Sequence, residues 1–187
     1  DAFQEIDQQS LFKPITKKSW IINETNNIPK IFHDAFSLAL KPRCGPVHIN
    51  LPRDTLANRR NFDTFHKHQT ETLPLISKDD LSKTVEAILS SSKPVIIAGG
   101  GIKNTQGHQE VINLAKILNI PIVSSAGHGD AIPFNENLYA GQMGPRGNPI
   151  ASKLVKEADV ILALGTRLGF NSTFFSYDNI NEQAFIV

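Results

Sequence analysis

The feature that most constrains this chain is an apolar run that ends in three consecutive glycines, at residues 93–101. Val95, Ile96 and Ile97 are β-branched, as expected of a buried strand, and apolar residues at helical spacing follow over residues 111–118. A strand, a glycine turn and a helix in this order open a βαβ unit. Such glycines allow a ligand's phosphate to approach the backbone near a helix N-terminus, which favours negative charge, but they also form tight turns that bind nothing. The G-x-G spacing is incomplete as a nucleotide fingerprint, because Asn104 stands at its third glycine position.

Two later strand candidates also end in small residues. Residues 121–125 end in Ser124 and Ser125, and residues 159–164 are followed by Gly165, Thr166 and Arg167. Helices are predicted from Ser77, with Asp80 completing its cap, and from Asn148, and a fourth strand is predicted to begin at residues 184–187. The alternation predicts an α/β fold with a doubly wound, mostly parallel sheet, whose ligands bind beyond the carboxyl ends of the strands.

A separate α/β segment precedes this unit. Residues 27–40 carry an apolar stripe at helical spacing, with Asn27 as the expected cap, and residues 46–52 alternate as a strand does. The pattern then dissolves between two prolines, where hydrophobic residues occur only singly. We therefore predict a partial domain at residues 1–55, a linker at 56–74 and a second domain at 75–187.

Composition excludes several classes of partner. With 19 basic and 18 acidic residues among 187, the net charge of +1 gives no reason to expect nucleic acid, and no apolar run reaches membrane-spanning length. The single cysteine, Cys44, excludes an internal disulfide and fits a reducing, cytoplasmic compartment. His66 and His68 lie in the linker without a Cys or carboxylate cluster, so we predict no metal site. His128, between two glycines at a strand end, is either a ligand contact or an ordinary loop histidine.

Several stretches together resemble thiamine-diphosphate-dependent enzymes of the acetohydroxyacid (acetolactate) synthase type, in order and over essentially the whole chain. They are DAFQE at residues 1–5, KPITK at 13–17, GPVHINLPRD at 45–54, KPVIIAGGG at 93–101, and ADVILALGTR at 158–167. The resemblance implies that residues 1–55 close a pyrimidine-binding domain and that residues 75–187 form a truncated, Rossmann-like central domain. The start without Met and the apolar end at residues 184–187 are likewise expected of a piece of a longer polypeptide.

The resemblance also implies where the chemistry lies. The glutamate that activates thiamine diphosphate would precede Asp1 and the Mg²⁺-binding motif would follow Val187, so no catalytic residue and no metal ligand are expected within this chain. Phe3 and Gln4 are implied to line the substrate side of the active site. The central domain would hold FAD in a structural role, with contacts at Gly99, Gly100, Gly101, Ser124, Ser125, Gly141, Gly144, Arg146, Gly165, Thr166 and Arg167.

Two departures from the synthase pattern leave the ligand open between FAD, ADP and none. Residues 141–147 read GQMGPRG, without the family's histidine, and residues 168–173 lack the acidic, arginine-bearing run. The implied parent is a homodimeric or homotetrameric carboligase acting on small 2-oxo acids. Sulfoacetaldehyde acetyltransferases, oxalyl-CoA decarboxylases and a stand-alone nucleotide- or flavin-binding module remain the alternatives.

Overall fold

The computed structural model describes residues 5–62, 75–173 and 178–187. The chain divides into two compact units, Asp1–Leu75 and Ile76–Val187. Each unit has its own sheet, and each is treated by itself below.

The first unit is a two-stranded parallel sheet with short helices. Its elements in chain order are α1 (Gln8–Phe12), a 3₁₀ turn (Lys13–Ile15), β1 (Ser19–Ile21), a 3₁₀ turn (Thr25–Asn27), α2 (Ile28–Leu40), β2 (His48–Asn50) and α3 (Arg53–Ala57). β1 pairs with β2 in parallel, and the helix predicted at residues 27–40 forms the crossover that joins them. The predicted cap of α2 is wrong: Asn27 makes no capping bond, and its amide nitrogen lies 3.3 Å from Glu24 Oε2. Asn27 is the last residue of the 3₁₀ turn and already has a helical backbone conformation, with φ −85° and ψ −7°, whereas a capping residue is typically extended.

A lysine closes the carboxyl end of α2. Lys17 Nζ lies 2.6 Å from the carbonyl of Leu38 and 2.9 Å from those of Lys41 and Arg43. An ammonium group at this end satisfies carbonyls that have no partner within the helix and complements the helix dipole. Lys17 therefore has a structural contact that the irregular sequence around it did not indicate.

The second unit is a five-stranded, wholly parallel sheet in the order β5-β4-β3-β6-β7. Its elements are α4 (Lys78–Ser90), β3 (Pro94–Ala98), α5 (Gly100–Asn104), α6 (His108–Leu118), β4 (Ile122–Ser124), β5 (Tyr139–Gln142), α7 (Pro149–Glu157), β6 (Val160–Leu164), α8 (Phe170–Thr173) and β7 (Phe185–Ile186). From β3 the chain steps outward through β4 to β5, then returns to place β6 on the other side of β3. The doubly wound α/β fold predicted from the sequence is confirmed.

Both faces of this sheet are covered. On one face Val111, Ile112 and Ala115 of α6 pack with Ile96 and Ile122. The opposite face is covered by α7 and the residues near it, and its core consists of Val95, Ile97, Val123, Met143, Ala151, Val155, Ala158, Ile161 and Ile180. Near-continuous apolar strands are expected where a parallel sheet is buried on two sides.

The helix caps of the second unit follow the sequence closely. The hydroxyl of Ser77 accepts a hydrogen bond from the Asp80 N–H at 3.1 Å, and Asn148 Oδ1 accepts one from the Ile150 N–H at 2.8 Å. These bonds satisfy amide groups that have no partner within their helices. Both predicted helix starts are confirmed.

One prediction for the second unit is wrong. Residues 126–147 are rich in glycine and their sequence predicts an irregular stretch, but they contain β5, which the sequence obscures because Gly141 interrupts it with φ +101°. The sequence also places apolar residues at helical spacing along α4, and most of the face that they form is exposed: Leu81 is 49% and Leu89 73% exposed, and Ile88 is the member of that face that packs against the core cluster.

Candidate functional site

The carboxyl edge of the central sheet brings together the strand ends selected from the sequence. Because the five strands are parallel, the segments after β3, β4, β5 and β6 leave the sheet at one edge. Gly99, Gly100 and Gly101 follow β3, Ser124 ends β4 and Ser125 follows it, Gly141 and Gly144 lie in and after β5, and Gly165, Thr166 and Arg167 follow β6. The chain reverses its direction across the sheet between β3 and β6. That point is where open α/β sheets place ligands.

At this switch point the glycines bring two turns into contact. The Gly99 N–H donates to the Leu164 carbonyl at 2.9 Å, and the Gly101 N–H donates to the Gly165 carbonyl at 2.8 Å. A Cβ added to Gly99 would lie 2.5 Å from Gly165 O, and one added to Gly101 would lie 2.7 Å from Gly165 Cα. The absence of side chains therefore lets the β3 turn pack directly on the end of β6. Two of the three amides that were expected to face a phosphate are bonded to that neighbouring strand end.

The middle glycine is covered by a histidine. A Cβ on Gly100 would lie 2.6 Å from Cε1 and 2.9 Å from Nδ1 of His128, so the imidazole ring rests on this residue. His128 is half-buried. Of the two interpretations left open by the sequence, this contact favours a histidine packed within the fold.

The serines at the end of β4 belong to the interior. Ser124 is 0% and Ser125 3% exposed. The Ser124 hydroxyl lies 2.8 Å from the Tyr139 hydroxyl, which lies 3.2 Å from the Gly129 carbonyl. The Ser125 N–H donates to Ala98 O at 2.9 Å. This network ties β4 to β5 and to the loop that follows β4.

The turn after β6 presents one exposed cation. Gly165 has φ +61°, and the Thr166 hydroxyl oxygen accepts a hydrogen bond from the Leu168 N–H at 3.2 Å. Arg167 is exposed. The Thr166 hydroxyl thus holds the turn, while the guanidinium of Arg167 is accessible to an anion.

A cavity of about 400 Å³ opens at the same edge, beside β4 and β5. It is lined by Ala126, Gly127, Gln142, Pro145, Arg146, Phe170 and Asn171. Arg146 is the one sequence-selected residue among them. Gln142 Oε1 accepts a hydrogen bond from the Gly127 N–H at 3.2 Å, which links two walls of the cavity. The high density of glycine and polar residues over 126–147 was the sequence signal that could have indicated the part of the cavity formed by the segments after β4 and β5. The sequence of α8, which supplies Phe170 and Asn171, gave no such signal.

The remaining candidate residues lie outside the described residues or in the first unit. Phe3, Gln4, His66 and His68 lie outside the described residues. Cys44 is exposed in the first unit, where its Sγ lies 3.2 Å from Leu40 O. Among the described residues, no three His, Cys, Asp or Glu side chains cluster as metal ligands would. No helix within those residues combines the length and apolar character needed to cross a bilayer.

The second unit thus has the architecture of a doubly wound α/β domain with a cavity at its carboxyl edge. Residues 81–187 match the family described as "Thiamine pyrophosphate enzyme, central domain". The chain belongs to this family of thiamine pyrophosphate enzymes, and the resemblance inferred from its motifs is confirmed.

Curated relatives extend the match to both units. The chain is 35% identical over 176 residues to a probable acetolactate synthase large subunit of Methanococcus aeolicus, covering 89% of this chain and 29% of that protein. It is 30% identical over 178 residues to the acetolactate synthase isozyme 3 large subunit of Escherichia coli K12, covering 92% of this chain and 31% of that protein. The chain therefore spans somewhat less than one third of these relatives.

Solved structures share the fold. A thiamine diphosphate-dependent 4-hydroxybenzoylformate decarboxylase of Rhodococcus jostii RHA1 aligns with a TM-score of 0.80 at 21% identity, covering 100% of this chain and 36% of that one. A benzoylformate decarboxylase from Polynucleobacter necessarius aligns with a TM-score of 0.81 at 21% identity, covering 97% and 34%. At this identity the likeness establishes the fold alone.

Proposed function

We propose that this chain is part of the large, catalytic subunit of an acetolactate synthase-like enzyme, a carboligase that acts on 2-oxo acids. The observation that carries the proposal is the match to relatives named acetolactate synthase large subunit, at 30–36% identity and over about nine tenths of the chain. A match of that extent includes the first unit as well as the central-domain family region.

Thiamine diphosphate, when bound in such an enzyme, supplies an electron sink for loss of CO₂ from a 2-oxo acid and for transfer of the remaining carbon unit to an acceptor. The residues that bind it and its Mg²⁺ are proposed to lie outside this chain. Phe3 and Gln4 are proposed to border the substrate, and the subunit is proposed to work as a cytoplasmic homodimer or homotetramer.

For the second unit we propose a scaffold role within the subunit. Its buried two-faced sheet gives it a core of its own. The structural FAD implied by the sequence resemblance does not fit the glycine turn, because Gly99 and Gly101 already donate to β6 and its following turn. ADP stays the alternative ligand, for which Arg146 offers a guanidinium that can pair with phosphate in the cavity of about 400 Å³.

The experiment uses the complete gene product that contains this chain. The purified protein is supplied with thiamine diphosphate, Mg²⁺ and pyruvate, and acetolactate and CO₂ are measured, with benzoylformate as the competing substrate. We expect acetolactate to form only when thiamine diphosphate is present. Turnover of benzoylformate with no acetolactate from pyruvate would contradict the synthase assignment and place the enzyme among decarboxylases.

ADP is tested separately by calorimetric titration of the same protein and of its Arg146→Ala variant. A bound nucleotide that loses affinity at least about tenfold in the variant would agree with a phosphate held by that guanidinium. Equal affinity in the two proteins would exclude Arg146 from the site.

A further inference from the structure

The loop formed by residues 125–131, here called the His128 loop, covers the glycine turn of the second unit. The ring of His128 rests on Gly100: a Cβ added to Gly100 would lie only 2.6 Å from Cε1 of the ring. The ring therefore occupies space directly above the middle glycine. A ligand would need that space to approach the backbone here.

The His128 loop is fastened at several points. Its own backbone is folded by bonds from the His128 N–H to Ser125 O and from the Ala131 N–H to His128 O, each 3.0 Å long. Lys103 Nζ on α5 lies 2.6 Å from Asp130 Oδ2, and this hydrogen bond lowers the pKa of Asp130. The loop is thus joined to the short helix that begins in the glycine turn.

The backbone groups beneath the loop are also engaged. A dinucleotide site needs a glycine at which the pyrophosphate can approach the main chain, together with a helix N-terminus aimed at the phosphate. At Gly101 the position that a pyrophosphate would need is occupied by Gly165, whose carbonyl accepts a hydrogen bond from the Gly101 N–H at 2.8 Å. The helix that starts at the turn, α5, has five residues and ends at Asn104. The longer helix α6 starts at His108, several residues away from the strand tip.

We propose that the switch-point crevice of the second unit is filled by the protein's own His128, so that the unit binds no FAD. Gly99 and Gly101 then allow the turn after β3 to pack on the end of β6, and Gly100 leaves room for the imidazole. This inference concerns the central unit alone and does not depend on which 2-oxo acid the enzyme uses.

The first test measures flavin directly. The complete gene product is purified, denatured and examined by mass spectrometry and visible absorbance for released flavin, and the intact protein is titrated with FAD. We expect no stoichiometric flavin and no rise in the unfolding temperature with FAD. Stoichiometric FAD, or a saturable rise in that temperature, would overturn the proposal whatever the outcome of the acetolactate assay.

The second test measures the contact itself with a double-mutant cycle. Gly100→Ala is made in the wild-type protein, in His128→Ala and in His108→Ala, since His108 is an exposed histidine of the same unit. The added methyl group meets the imidazole, so we expect Gly100→Ala to lower the unfolding temperature by about 2–8 °C in the wild type. At least half of that loss should disappear with His128→Ala and none with His108→Ala. Equal losses in all three backgrounds would show that the ring does not rest on Gly100.

Discussion

Asp159 offers the sharpest test of how the second unit is held together. Its carboxylate accepts hydrogen bonds from the Ser91 hydroxyl, from the Ser92 N–H at 2.7 Å and from the Lys93 N–H at 3.0 Å. Its own N–H donates to Lys93 O at 3.2 Å. One carboxylate therefore joins the segment that enters β3 to the residue that enters β6, the two central strands of the sheet.

These donors stabilise the charged carboxylate. The Ser91 hydroxyl first, and then the two backbone N–H groups, lower the pKa of Asp159 from 3.8 to about 2. At 1.36 kcal/mol for each pKa unit, that difference corresponds to at most about 2.5 kcal/mol of stability. The residue is half-buried, and solvent screening weakens such interactions, so we expect Asp159→Asn to lower the free energy of unfolding by about 1–1.5 kcal/mol at pH 7.

The effect has a defined pH dependence. Because the folded-state pKa lies below the unfolded value, the stabilisation is present above about pH 4 and is lost as the pH falls towards about 2. Urea unfolding followed by far-ultraviolet circular dichroism, at several pH values, measures the difference between wild type and Asp159→Asn. Glu86→Gln, which neutralises an exposed carboxylate on α4, is the control and should change stability by less than about 0.5 kcal/mol. A difference for Asp159→Asn that is below about 0.3 kcal/mol at pH 7, or that stays constant down to pH 2, would refute this account.

Three further substitutions test other contacts, each by the change in unfolding free energy. Lys17→Met removes the ammonium from the carboxyl end of α2 and should cost about 0.5–1 kcal/mol, with loss of protection in amide exchange at that end; unchanged exchange would argue against the cap. Gly165→Ala adds a Cβ at φ +61°, 2.6 Å from a backbone nitrogen of α5, and should lower the free energy of unfolding by more than about 3 kcal/mol. The control Gly169→Ala adds a Cβ that meets nothing within 4 Å and should lower it by less than about 1 kcal/mol. Similar losses for the two variants would contradict the close packing at Gly165. Tyr139→Phe removes the tyrosine hydroxyl that is hydrogen-bonded to the buried Ser124 hydroxyl and should lower the free energy of unfolding by about 1–2 kcal/mol. An unchanged free energy of unfolding would show that this hydrogen bond does not stabilise the unit.

The order of elements could be predicted from local signals because those signals agree with the tertiary structure. Ser77 and Asn148 form caps that depend only on residues two or three positions away. The strands β3 and β6 are short, apolar and followed by glycine, and a parallel sheet buries them on both faces. The fold class followed from their alternation with helices.

The failures arise where a distant partner decides the outcome. β5 forms although Gly141 interrupts it, because β4 pairs with it on either side of a register shift: Ile122 pairs with Tyr139 and Ser124 pairs with Gln142. Asn27 has the residue type of a cap, but its side chain contacts Glu24 instead. The α4 stripe has helical spacing, yet spacing does not state which elements cover it, and Leu89 is 73% exposed.

The candidate site shows the same limit at its centre. A glycine is selected either for backbone conformation or for the space that its missing Cβ leaves, and a sequence pattern does not separate the two. Gly127 has φ +84° and nothing within 4 Å of an added Cβ, so its conformation is the constraint. Gly101 has backbone atoms of Gly165 at 2.7 Å, so space is the constraint, and that space is taken by protein. The triple glycine was interpreted from the sequence as a place where a phosphate can approach the backbone. In the structure the groups that lie against it are a neighbouring turn and a histidine ring, and identifying them required the positions of residues about 30 and 60 places further along the chain.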